Sequence, residues 1–126
     1  MALTIDNSFK AACLDGGAAT LNSGQFRLEA SGGSALATLG FAATAFAAAS
    51  AASPSVATSN SITPQSSPTA GVITAFAFRT SGGSDRIRGS VGTSGADMNV
   101  TSATIPSGTT LIECPGGVQL TLQITG

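Results

Sequence analysis

The sequence predicts an all-β fold: an antiparallel β-sandwich or jelly-roll-like barrel with a short N-terminal helix. Three observations point there. Several stretches alternate apolar and polar residues with a period of two, the mark of a half-buried strand. Short turns rich in Gly, Ser and Pro separate those stretches at close intervals. Leu, Ile, Val and Phe make up 27 of 126 residues, just above the roughly 20% typical of disorder, and a net charge of −1 argues for a folded chain. One domain spans residues 1–126, with a helical segment over 1–16 and the sandwich over 17–126.

The elements follow in order. Ile5–Asp15 is the helix: Asp6 or Asn7 can cap it, Phe9 and Cys13 share a face, and Gly16-Gly17 should end it. Gln25–Ala30 alternates, with Phe26, Leu28 and Ala30 on one side and Gln25, Arg27 and Glu29 on the other. Ser31-Gly32-Gly33-Ser34 supplies a tight turn, and Ala35–Phe41 reads as the return strand. Ala42–Ala52 is ambiguous, because alanine favours helix while Thr44, Ser50 and Pro54 oppose one; a short strand plus loop and a helix both remain open. Ser55–Ile62 is a weak strand and Thr63–Pro68 a loop. Gly71–Thr80 is the central strand, apolar enough to be buried on both faces. Ser81–Ser84 turns the chain into Asp85–Val91 as a hairpin. Met98–Thr101, Thr109–Cys114 and Val118–Thr125 complete the set, the last with Val118, Leu120, Leu122 and Ile124 inward.

Ala, Ser, Thr and Gly account for 71 residues, so the core is thin. Small side chains contribute less on burial than a Leu or Phe, worth roughly 1.5–3 kcal/mol each. Such a core favours burial against copies of itself or another partner. Charged residues are 9% of the chain, against a usual ~25%, and the 49 residues between Glu29 and Arg79 carry none. That emptiness fits a covered surface or a Ser/Thr-rich polar one. Ala35–Ala52 is long enough for a membrane span but lacks Leu/Ile/Phe density and flanking basic residues, so no membrane is expected. The N-terminus does not read as a secretion signal, which points to synthesis in the cytoplasm. Cytoplasmic synthesis favours free, small buried thiols at Cys13 and Cys114, with one Cys13–Cys114 disulfide as the alternative that the sequence leaves open.

The chain has no histidine, one lysine and two separated cysteines. No catalytic, metal or cofactor site is expected, and the protein does not read as an enzyme. Gly89–Gly95 lacks the Lys-Ser/Thr ending of a phosphate loop and reads as a turn. Asp97 fits an Asx-turn. Arg79, Arg86 and Arg88 lie close together and are the candidate partner-contact residues. They fit either an acidic partner surface or a solvated strand face balanced by Asp85. With no Tyr or Trp and a net charge of −1, the chain offers no platform for nucleic acid.

Two motifs carry a resemblance: Gly89-Ser90-Val91-Gly92-Thr93-Ser94-Gly95-Ala96-Asp97, and Ile105-Pro106-Ser107-Gly108-Thr109. Over residues 70–110 the chain resembles a family of small virion proteins of tailed bacteriophages, most like capsid decoration (cement) proteins. The resemblance implies a structural part of the particle, made in the host cytoplasm. It also implies a homotrimer that bridges capsomers and contacts the major capsid protein and copies of itself. A tail, collar or fibre-associated protein that binds the host surface is the alternative. The Ala-rich Phe41–Ala52 segment and the Cys114-Pro115-Gly116-Gly117 turn depart from the family pattern.

Overall fold

A computed structural model describes residues 4–52 and 54–122. It contains one helix, α1 (Asn7–Ala19), and eleven strands: β1 (Gln25–Glu29), β2 (Ala35–Gly40), β3 (Ser55–Thr58), β4 (Gln65–Ser66), β5 (Gly71–Val72), β6 (Ala75–Arg79), β7 (Asp85–Gly92), β8 (Met98–Asn99), β9 (Thr104–Ile105), β10 (Leu111–Ile112) and β11 (Gln119–Leu122). The fold is sheet-rich with one short helix, as the alternation predicts. A five-stranded sheet in the order β2-β1-β6-β7-β8 is its largest part, and β10-β4, β11-β3 and β5-β9 form two-stranded ladders. All pairings are antiparallel except β7 with β8.

The helix differs from expectation in two ways. It runs through Gly16-Gly17 to Ala19 instead of stopping there. Two interior glycines cost a helix about 1 kcal/mol each relative to alanine, but Leu14, Ala18 and then Leu21 anchor this stretch in the core and outweigh that cost. The face is also different: Lys10, Ala11, Leu14 and Ala18 are buried, whereas Phe9 is 60% exposed and Cys13 is exposed. Asp6 occupies the N-cap position without a side-chain hydrogen bond.

One face of the five-stranded sheet is apolar. Cross-strand register brings Phe26 opposite Leu39 and Phe78, and Leu28 opposite Ala37 and Phe76. Phe26, Phe41, Phe46, Phe76 and Phe78 form a connected set of rings, with Phe26 edge-on to Phe78 at 5.2 Å between centroids. This edge-to-face geometry suits the ring quadrupole. Leu14 and Leu21 join the same cluster, and Leu120 and Leu122 of β11 pack against it.

Ala42–Ala52 forms no helix. It runs extended beside β3, where Phe46 bridges Ser59 and the Ala47 and Ser50 amides donate to Thr58 and Val56 carbonyls at 2.9 Å. Ala45 and Phe46 are buried, so tertiary burial decides over alanine's helical preference. Gly71–Thr80 is also not one strand. It divides into β5 and β6, which lie in different ladders, because the Ile73 amide donates to Ala103 O and the Thr74 amide to Glu29 O. Within β6 the double burial holds: Phe76, Ala77 and Phe78 are all inside. Gln65 and Ser66, read as loop, form β4. In β11 the alternation holds through Leu122, with Leu120 and Leu122 half-buried and Gln119 and Thr121 exposed. The expected continuation through Ile124 to Thr125 lies outside the described residues.

Candidate functional site

The second face of the five-stranded sheet is built from three cross-strand rows. Gln25, Arg79 and Asp85 make one; Arg27, Ala77 and Arg88 the next; Glu29, Ala75 and Ser90 the third. Small residues at Ala75 and Ala77 leave room for long side chains to lie across them. Ala77 is fully buried even though arginines flank it on both neighbouring strands. Arginine stems readily cover apolar surface in this way while keeping their heads toward water.

Charges link the rows. Arg88 Nη2 donates to Glu29 Oε1 at 2.5 Å, and Arg88 Nη1 to Asp85 Oδ2 at 2.9 Å. Arg79 Nε donates to Asp85 Oδ1 at 2.9 Å, Arg79 Nη1 to Gln25 Oε1 at 3.3 Å, and Arg79 Nη2 to the Gly83 carbonyl. Arg27 Nε lies 3.1 Å from Glu29 Oε2, but its N–H is not aligned for a hydrogen bond, and Arg27 Nη2 donates to Gly33 O instead. The result is a chain of alternating charge: Arg27, Glu29, Arg88, Asp85, Arg79. The hydrogen bond from Arg88, with the Arg79 and Arg88 charges, holds the Asp85 carboxyl below its usual range despite some opposing desolvation. The Glu29 and Asp85 carboxylates in turn push the Arg88 pKa upward.

Glu29 lies on the face opposite Phe26 and Leu28, as the alternation of β1 predicts, yet it is 3% exposed, which alternation alone does not indicate. The signal was cross-strand: an acid centred between arginines two residues before it on β1 and two strands away on β7.

Of the three candidate arginines, Arg79 and Arg88 are brought together through Asp85, while Arg86 is not part of their network. The β6–β7 register shifts between Phe78 and Arg79: Phe78 opposes Ile87, and Arg79 opposes Asp85. Arg86 is the extra residue of this bulge, and it borders a groove with Leu14 of α1 and Leu120 and Leu122 of β11. It has no ion pair among the described residues.

The loop from Gly89 to Asp97 is fixed to the end of β7. Asp97 Oδ2 accepts from the Ser90 amide at 2.9 Å, and the Asp97 amide donates to Ser90 Oγ at 3.0 Å. This clasp replaces the expected Asx-turn, and Asn99 Oδ1 instead accepts from the Ala96 amide. Gly89 is required there: a Cβ would stand 2.6 Å from the Phe76 ring and 3.0 Å from Asp97. The loop returns Met98 and Asn99 alongside Val91 and Gly92 as the parallel pair.

Cys13 and Cys114 are free thiols. Cys114 is half-buried, which raises its pKa; Cys13 is exposed, against the expectation that both cysteines are buried, because it lies off the helix face formed by Lys10, Ala11, Leu14 and Ala18. Among the described residues no three His, Cys, Asp or Glu side chains gather to hold a metal ion, and no helix is long and apolar enough to cross a membrane. No family model, curated protein or solved structure matches the chain.

Proposed function

We propose that the protein is a structural component of a tailed-phage particle: a non-enzymatic capsid decoration protein that works as a homotrimer against the major capsid protein. In this reading the five-stranded sheet and the three ladders are the two layers of a sandwich. The carrying observation is the Gly89–Asp97 motif, whose Ser90 and Asp97 clasp each other at the end of the longest strand. Phe9, Val72 and Leu111, on three different elements, are each about half exposed or more, which is compatible with a role in assembly.

Quantitative mass spectrometry of purified particles tests the reading. A copy number near that of the shell protein is the expected result. A few dozen copies or fewer would favour the tail, collar or fibre alternative, and absence from particles would overturn both.

A further inference from the structure

The fold leaves a seam open. Strand β11 is paired on one side only, by β3, and β7 is covered on its outer side by β8 only at Val91 and Gly92. Among the described residues no strand pairs with the other edge of β11 or with the outer edge of β7 before Val91. Yet these two elements border the same space. A groove of about 340 Å³ is lined by Leu14, Ala18, Arg86, Ile87, Leu120 and Leu122. A second space of about 340 Å³ shares Ile87 and Leu120 and continues to Phe76 and Phe78.

Two of the other sheet edges, those of β2 and β3, are closed by the chain's own segments. The outer side of β2 is occupied by the chain itself: Gly40 and Thr63 exchange amide–carbonyl hydrogen bonds, the Thr69 amide donates to Leu36 O, and Gln65 Oε1 accepts from the Thr38 amide. The outer side of β3 is held by Ala47 and Ser50. Sheet edges left unpaired invite an added strand, and this chain closes two of them with its own segments while leaving the β7–β11 seam open.

We propose that this seam is a strand-acceptor site for an extended segment of a partner protein, one that alternates apolar and polar residues and carries a carboxylate. Main-chain hydrogen bonds to a free edge supply affinity in such complexes, and alternate side chains enter pockets. Here the apolar side chains of the incoming segment cover Ile87 and Leu120. The carboxylate is set by charge. Arg27, Arg79 and Arg88 are all engaged by Glu29 or Asp85, whereas Arg86, at the border of the groove, has no ion pair among the described residues. The groove that contains Arg86 has no acidic residue in its lining. The proposal concerns the isolated chain and holds whether or not the protein is a virion component.

The test uses the full chain and a capped ten-residue peptide of alternating valine and threonine with one central glutamate. Because main-chain pairing tolerates many sequences, the peptide is expected to bind weakly and to slow amide hydrogen exchange in Gln119–Leu122 and Arg86–Arg88. Arg86→Glu should weaken binding about tenfold, and replacing the peptide's glutamate by lysine should restore it. Ile87→Asp, at a position already 36% exposed, should abolish binding while leaving the circular dichroism unchanged. No binding at millimolar peptide overturns the proposal. So does binding that ignores both substitutions. Strong protection, without peptide, of the outward-facing amides of both strands, those not bonded to β6 or β3, also overturns it: if it persists on dilution, this chain fills its own seam, and if it vanishes on dilution, a second copy does.

Discussion

Arginines close together in sequence have different roles here. Glu29 is buried between Arg27 and Arg88, so Glu29→Gln leaves two guanidinium groups facing a neutral amide. Removing one partner of a fully buried pair costs about 3–5 kcal/mol. Arg88 keeps 47% of its side chain exposed, so water recovers part of that cost and about 2 kcal/mol is expected by urea unfolding. Arg86→Ala should change stability by less than about 0.5 kcal/mol in the same experiment, which separates it from Arg79 and Arg88. Asp85 gives a pH signature. Its folded pKa is depressed, so its contribution is present above the ordinary value of 3.8 and is lost as pH falls through the folded value. The melting temperature of wild type minus that of Asp85→Asn should therefore be flat near neutrality and shrink on acidification below that range. A difference that grows with acid would contradict the assignment.

Helix α1 and strand β7 make opposite demands on glycine. A Cβ added at Gly16 or Gly17 meets nothing within 4 Å, and neither residue has positive φ. Gly16→Ala and Gly17→Ala should each stabilise the protein by up to about 1 kcal/mol, read as a raised melting temperature. Gly89→Ala should do the reverse by about 1–3 kcal/mol, because the Phe76 ring occupies the space. Gly24 is tighter still: a Cβ would clash with the Arg79 and Leu21 carbonyls, so Gly24→Ala is expected to lower soluble yield as well as stability. The helix also shows where local reading stops. Its existence was legible from Asp6, Asn7 and the apolar residues after them. Its end was not, because Leu14, Ala18 and Leu21 continue the helix across two glycines by burial that no local pattern reveals.

For the whole molecule, stability rests on a small set of large side chains among many small ones. Phe78 touches Phe26, Phe41, Phe46 and Phe76, so it ties β6 to β1 and to the Ala-rich segment. Phe78→Ala should cost about 3–5 kcal/mol. In a domain whose total stability is of order 5–15 kcal/mol, that change should leave the chain largely unfolded or aggregated at 37 °C by circular dichroism. The two-residue ladders β4–β10 and β5–β9 add few hydrogen bonds of their own and depend on this core for their place.

The sheet-rich character, the hairpin turns at Ser31–Ser34 and Ser81–Ser84, and the inward positions Phe26, Leu28, Phe76, Phe78, Leu120 and Leu122 are legible in the order of residues alone. These follow from a period of two and from glycine at turns, both local properties. Four features follow from the tertiary arrangement: the burial of Glu29, the bulge that sends Arg86 away from Arg79 and Arg88, the division of Gly71–Thr80 between two ladders, and the seam between β7 and β11 that no strand fills among the described residues. Each depends on which residue lies opposite which on another strand. That pairing is set by register and core packing across dozens of residues, and alternation within a single strand carries no information about it.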